Sequence, residues 1–319
     1  PEVLPFYDVE AEPIRKRFGD FVLVNTNFGM VNGFLPSLNL WNPGNEPGEP
    51  AQAGTAATGL TQEFAKGLSI HKNTLFQHFK RLIPLLSRVF PDHVVVVRPH
   101  PRENHDVWRE IAKDCGNVEV VYGGNVLPWL RAAKALIHNG CTTGIEAFMV
   151  KLPAIAYRPA TAEEYDFDLP NSLSHECFDF DELRETLEKI LRGELGPPCT
   201  DERRRLLGYY LSALDGPLAC DRIVDVLVQN VADRRGLPSP GVMSYLNGWI
   251  GANLRRYKKR YIKSRRPGHR NNPDFQRQRF AGVSLREISA RIGRFSRQLG
   301  RFQDVKARQL SKNVFQLLA

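Results

Sequence analysis

The chain has 319 residues, enough for one large domain or two ordinary ones. Hydrophobic residues make up 42% and charged residues 25%, a balance that can bury a core and excludes global disorder. The net charge of +9 conceals a split: residues 241–319 hold 19 Lys and Arg against 3 Asp and Glu, leaving 25 basic against 32 acidic residues elsewhere, so an acidic body carries a polybasic extension.

Taken in chain order, apolar β-branched runs recur with helical stretches between them. Phe21–Thr26 is the first run, followed by a Gly-, Pro- and Asn-rich loop over 42–58 and a helix over about 59–88. His93–Arg98 is the second, followed by a helix at 104–115. Val118–Val121 precedes a helix at 126–133. Ala135–His138 precedes a helix at 143–151, and Pro153–Tyr157 is the fifth run. Continuous Val and Ile without alternation suit strands buried on both faces of a parallel sheet, and the strand–helix alternation predicts a doubly wound α/β fold. Beyond Tyr157 the pattern turns helical. Asp179-Phe-Asp181 caps a helix over 182–191, and further helices are expected at 201–211 and 217–231. Arg235–Gly241 reads as a linker. Past it, 245–263 and 285–318 read as basic helices separated by Pro267–Pro273. The organisation expected is therefore a Rossmann-like domain over 20–235 and a mostly helical basic extension over 236–319.

No apolar run approaches the ~20 residues of a transmembrane helix, and no secretory start is visible. The chain begins at Pro1 without Met, which points to sequence upstream. Five scattered cysteines form neither a Cys-x-x-Cys pair nor a Cys/His metal spacing, a usage that suits a reducing cytosol.

Open α/β sheets bind ligands outside the carboxyl ends of their strands, so those ends carry the candidate chemistry. Small, polar or basic residues stand at each one: Asn25-Thr-Asn-Phe-Gly29, Arg98-Pro-His-Pro101, Gly123-Gly-Asn125, Asn139-Gly-Cys-Thr-Thr143 and Arg158. In the fourth, glycine permits a tight turn into a helix, and Thr142 and Thr143 either cap it or add hydroxyl donors to a phosphate held there with Asn139 and Gly140. Pro99 and Pro101 stiffen the loop that carries His100 to the sheet edge, where its imidazole can donate to phosphate or to a leaving oxygen. Glu146, one turn into the helix, either binds sugar hydroxyls or acts as a favourable charge near the helix start. Asn25, Asn27, Gly29, Asn125 and Arg158 either line a sugar subsite and cleft or form polar turns. Asp166-Phe-Asp168 and Asp179-Phe-Asp181 look like a D-x-D metal motif, but neither follows a suitable strand, so no metal site is expected.

Four elements in order carry a resemblance: Arg98–Pro101, Val118–Ala133, His138–Ala147 and Leu152–Arg158. Together they resemble the nucleotide-binding, C-terminal half of a GT-B glycosyltransferase. Phe21–Asn32 is closer still to the bacterial surface carbohydrate biosynthesis proteins. The His-Pro element is similar to that of transferases using CMP-activated acid sugars, such as Kdo and sialyltransferases, and of CDP-glycerol polymerising enzymes. The resemblance covers about residues 1–235. It implies that His100, Thr142 and Thr143 hold the donor phosphate; Arg98, Asn139 and Gly140 are candidates beside them from their place at the strand ends. It further implies a nucleotide-sugar substrate linked to CMP or UDP and a transfer needing neither metal nor cofactor; His100, with Glu146 from its place on the helix, is the catalytic candidate. GT-B enzymes have two Rossmann-like domains, and this chain shows one. Residues 1–19 then read as an interdomain connection or linker. An N-terminal domain bearing the catalytic base is expected elsewhere, or the unit alone is not a complete transferase.

Three functions follow. The first is a glycosyltransferase of bacterial surface polysaccharide biosynthesis acting on a glycan or lipid-linked acceptor. The second is a UDP-N-acetylglucosamine 2-epimerase-like enzyme, a family that usually has Ser-Gly-Gly and paired acids where this chain has Cys141-Thr-Thr-Gly and Glu146. The third is a non-catalytic nucleotide-sugar-binding scaffold. Across 249–263, Trp249, Ile250, Leu254, Tyr257, Tyr261 and Ile262 interleave with Arg255, Arg256, Lys258, Lys259 and Arg260, a pattern suited to an anionic membrane surface. The expected location is therefore cytoplasmic, peripheral on the inner membrane through 245–319, with no nucleic-acid partner.

Overall fold

A computed structural model describes residues 4–42, 52–212, 214, 216–217, 219–233, 241–265, 271–280, 282–311 and 313–318. The expected linker 235–241 lies almost wholly outside these residues, as do much of the 42–58 loop and of the 267–273 separator.

Six parallel strands form the central sheet: β1 (Phe21–Asn25), β2 (Val94–Arg98), β3 (Val118–Val120), β4 (Ala135–His138), β5 (Ala154–Tyr157) and β6 (His175–Cys177). Their order is β3-β2-β1-β4-β5-β6. The fold class is thus α/β and Rossmann-like, with the chain reversing direction between β1 and β4. Apart from Val94, every residue of the three central strands is buried, which explains their runs of Val, Ile and Leu.

The two faces of the sheet are covered by different helices. Val22, Val24, Val95, Val97 and Ile137 point to one face, under α2 (Gln62–Val89), α3 (Asp106–Ala112) and α7 (Phe180–Leu191). Phe21, Leu23, Val96 and Leu136 point to the other, under α1 (Leu4–Phe18), α4 (Leu127–Ala132) and α5 (Thr143–Met149). Alternate residues of one strand thus serve two cores, the period-2 rule at work on both faces. Thr61, Asp179 and Thr200 cap α2, α7 and α8 (Asp201–Tyr210) through side-chain oxygens. A sixth helix of the body, α6, spans Asp168–Ser172.

Residues 4–18, expected as a linker, form α1. Phe6, Ala11 and Phe18 are buried, and Arg131 of α4 holds Asp8 through two hydrogen bonds of 2.9 and 3.1 Å. The amphipathic stripe, not the position near the terminus, decides the structure here.

The C-terminal region also departs from expectation. Two compact units are present, Pro1–Cys199 with Asp274–Ala319, and Thr200–Pro273. The second unit holds α8, α9 (Ala219–Asp233) and α10 (Val242–Tyr257), the last continued by a π turn over Lys258–Lys263. The first unit regains the chain through α11 (Pro273–Arg279) and α12 (Leu285–Leu299). Residues 306–318 are not the continued helix expected but an antiparallel pair, β7 (Lys306–Ser311) and β8 (Val314–Leu318). Gly300, at φ 64°, stops α12 in the left-handed conformation that favours glycine. Phe295 of α12 stacks on Phe6 at 3.9 Å between centroids, and Arg294 pairs with Glu10 at 2.5 Å, so much of the basic charge here is spent within the fold. Among the described residues, no helix is long and apolar enough to cross a membrane.

Candidate functional site

Strand register sets the site. Asn25 of β1 lies level with Arg98 of β2 on one side and His138 of β4 on the other, so three polar side chains end the central strands at one edge. The loops that follow are tied together across the point where the strand order reverses. Asn25 donates to the Thr143 hydroxyl at 2.8 Å, and the Asn27 N–H donates to Asn139 Oδ1 at 3.1 Å.

The loops after β1 and β2 are joined by a residue that the sequence reading passed over. Glu103 is fully buried, and Oε1 accepts from the Thr26 hydroxyl at 2.8 Å, the Phe28 N–H at 3.1 Å and the His100 N–H at 3.0 Å. Its Oε2 accepts from Trp108 Nε1 at 2.9 Å and from Asn32 at 3.5 Å. Burial raises its pKa, and donation from Phe28, Trp108, Thr26 and His100 offsets only part of that rise. A carboxylate so surrounded fixes where His100 stands. Gly29 then lies against the same loop: a Cβ there would sit 3.0 Å from Arg102 Cβ and 3.7 Å from His100 Nδ1.

His100 is half-buried, and its Nδ1 accepts from the Arg102 N–H at 3.2 Å. The neutral ring therefore carries its proton on Nε2, which has no hydrogen-bond partner among the described residues. Its pKa falls to about 4, first through burial and then through Arg102, Arg98, His105 and Arg279. Burial contributes most to that fall, and the nearby arginines add to it. Arg98, itself buried, donates to the Gly124 carbonyl at 2.8 Å, and its charge opposes the burial that raises the pKa of Glu146. The loops after β2 and β3 and the start of α5 thus meet around one cation.

The turn after β4 is shaped from beneath. Gly140 adopts φ +74°, and its N–H donates to His138 Nδ1 at 3.0 Å. His138 is fully buried, so its Nε2–H donates to the Ser174 hydroxyl at 2.8 Å, which donates in turn to the Pro170 carbonyl at 2.9 Å. Thr142 is exposed at the mouth of the turn and its side chain makes no cap bond. Thr143 faces inward: its hydroxyl is shared between Asn25 and the Cys141 thiol. The two threonines, expected to act as a pair, are therefore divided between surface and support. α5 has only seven residues, and Arg98, Arg102 and Arg279 lie within electrostatic reach of His100.

Two expected residues lie apart from this cluster. Arg158 pairs with Asp166 at 2.8 Å and with Glu176, in a group with His71, whose Nε2 meets Asp166 at 2.8 Å. Burial raises the Asp166 pKa, but Arg158, the Ala162 N–H and His71 outweigh it and leave it lowered. Asp166 of the Asp166-Phe-Asp168 motif is thus occupied by Arg158 and the His71 ring of the chain itself. Asn125 caps the approach to α4 by accepting from the Leu127 N–H at 3.1 Å. Lys72 was also passed over. It is buried on α2 within electrostatic reach of Asp166 and Cys141, and burial lowers its pKa. Its signal was a lysine placed inside the apolar stripe Ala65, Leu68, Leu75, Phe76.

Three of the six buried side-chain polar atoms without a partner among the described residues belong to this edge: Asn25 Oδ1, Arg98 Nε and Asn171 Oδ1, the last facing Gly140. Orphaned buried polar atoms are uncommon in folded proteins. No group of three or more His, Cys, Asp or Glu among the described residues could hold a metal.

No family model and no curated protein matches the sequence. Among solved structures, the chain is similar to the crystal structure of UDP-GlcNAc 2-epimerase from Neisseria meningitidis bound to UDP-GlcNAc, at 12% identity and a TM-score of 0.32. The match covers 60% of this chain and 44% of that one, so the chain spans less than half the length of its neighbour. The chain's own residues therefore carry the account of the site.

Proposed function

We propose that the chain binds the phosphates of a nucleotide-linked sugar at the edge formed by Arg98, His100, Asn139, Gly140 and Thr142, and serves a glycosyltransferase of bacterial surface polysaccharide synthesis. The supporting observation is the assembly of separate loops around a neutral His100 with a free Nε2–H, in the field of Arg98, Arg102 and Arg279. In glycosyl transfer the bond between the sugar's anomeric carbon and the phosphate oxygen breaks while an acceptor hydroxyl bonds to that carbon. Negative charge grows on the departing phosphate, and fixed cations with aligned donors lower the barrier most where that charge develops. Arg98 supplies the charge, His100 Nε2–H and the Thr142 hydroxyl supply donors, and Glu146 accepts from sugar hydroxyls. The acceptor proton leaves to a base outside the residues assigned here. CMP-activated acid sugars are the favoured donors on the likeness of Arg98–Pro101, and a glycan or lipid-linked acceptor is the favoured partner.

A thermal-shift panel of CMP, CDP, UDP and UDP-GlcNAc tests the reading. Saturating a site stabilises by RT ln(1+[L]/Kd), about 2.7 kcal/mol at 100 Kd. A cytidine or uridine nucleotide should raise Tm in the wild type. His100→Ala should abolish the rise and Thr142→Ala should reduce it. Equal shifts in all three proteins would refute the assignment.

A further inference from the structure

The C-terminal segment reaches the same edge. Gln278 of α11 donates to the carbonyls of Pro101 at 2.9 Å and Glu103 at 2.7 Å, which clamps α11 onto the loop that carries His100. Phe275 is 2% exposed and packs on Phe34 with ring centroids 5.4 Å apart. The Tyr122 hydroxyl donates to the Arg279 carbonyl at 3.4 Å. Between the loop after β3 and this segment lies a cleft of about 800 Å³, lined by Tyr122, Gly124 and Asn125 on one side and by Arg279, Phe280 and Phe315 on the other.

The cleft adjoins the phosphate edge. Its Gly124 carbonyl is held by Arg98, and Arg279 lies within electrostatic reach of His100. Its volume falls in the range of small-molecule sites, about 300–1,000 Å³. Gly123 and Gly124, at φ +143° and +66°, have no Cβ to keep a ligand from the backbone. Phe280 is 63% exposed at the rim, with the Arg279 guanidinium 5.2 Å from its ring centroid.

We propose that Arg279, Phe280, Ile288 and Phe315 form the outer wall of a nucleoside pocket, in which the base packs against Phe280 and Tyr122 and Arg279 bridges from the nucleoside to its phosphate. This rests on the phosphate reading above and extends it. A segment that composition alone assigned to a membrane becomes part of the substrate site.

Calorimetric titration of the full chain with CDP, UDP and inorganic pyrophosphate tests the pocket. The better nucleotide should bind more tightly than pyrophosphate. Phe280→Ala should weaken it about tenfold, as expected when a base loses one stacking partner, and leave pyrophosphate unchanged. Arg279→Gln should weaken both ligands. Phe280 and Arg279 are exposed, so neither change threatens folding. If both variants bind nucleotide as the wild type does while His100→Ala does not, the pocket is refuted and the phosphate edge stands. A wild type that binds nucleotide no better than pyrophosphate refutes the pocket as well. If the wild type binds none of the three, or if His100→Ala changes nothing, the phosphate edge falls and the pocket with it.

Discussion

Acidification should unfasten the turn after β4 through a single imidazole. His138 is fully buried, and its Nδ1 is committed to the Gly140 N–H. A second ring proton would place two N–H groups face to face in an apolar core, and burial lowers the pKa to about 4. In the unfolded chain the group titrates near 6.5. Between these values the unfolded chain takes up a proton that the folded chain refuses, so stability falls as pH drops from 6.5 to 4 and levels off below. Above 6.5 both states are neutral and the contribution is complete. The gap between 6.5 and 4 corresponds to about 3 kcal/mol at 1.36 kcal/mol per pKa unit. Urea denaturation from pH 7 to 4 measures it. The wild type should lose about 3 kcal/mol more than His138→Gln, which removes the titrating group. Should that variant fail to fold, the ¹⁵N shifts of the His138 ring give the same answer. They should report a bare Nδ1 and a protonated Nε2 down to about pH 4. Equal pH slopes, or a ring that titrates near 6.5, would refute the reasoning.

Other outcomes follow from the same contacts. Gly144→Ala should cost about 1–3 kcal/mol, since a Cβ would stand 2.7 Å from His138 Nε2 and 3.1 Å from the Pro170 carbonyl; a chemical melt checks it. Glu103→Gln loses a charged acceptor that gathers five donors, so it should destabilise by roughly 3 kcal/mol and weaken CDP binding by misplacing His100. Phosphate binding should raise the His100 pKa, so calorimetry of the tighter nucleotide in buffers of different ionisation enthalpy should reveal proton uptake near pH 5 that disappears at pH 8. Exposed Trp249, Leu254 and Tyr257 beside Arg255, Arg256, Lys258 and Lys259 should bind anionic vesicles, at ~1 kcal/mol per basic residue. Neutralising the four cations should release the chain in a flotation assay.

The central strands were legible because they are almost wholly buried, which leaves runs such as Val94–Val97 with no rival reading; the short edge strand β6, with His175 and Glu176 not buried, falls where only helix was expected after Tyr157. The strand ends were legible because polar residues have little other reason to follow such runs. What stayed hidden depended on distant partners. Glu103 reads as an ordinary acid after Pro101, and only Thr26, Phe28 and Trp108 reveal it as a hub. Thr142 and Thr143 are equivalent in sequence, yet Asn25 claims the second, 118 residues away. Arg158 looked like a site cation until Asp166 and Glu176 took it. Charge density misdirected the reading of 285–318. Arg291 and Arg294 serve Glu10 in the fold, and the turn at Gly300 leads into a hairpin where helix was expected.

A crystal structure of the chain soaked with CDP or UDP is the most direct measurement. The account requires phosphate oxygens within hydrogen-bonding distance of His100 Nε2, the Thr142 hydroxyl and the Arg98 guanidinium. A nucleotide seated on the basic helix of 242–263, or one that leaves His100 and Arg98 without contact, would contradict it.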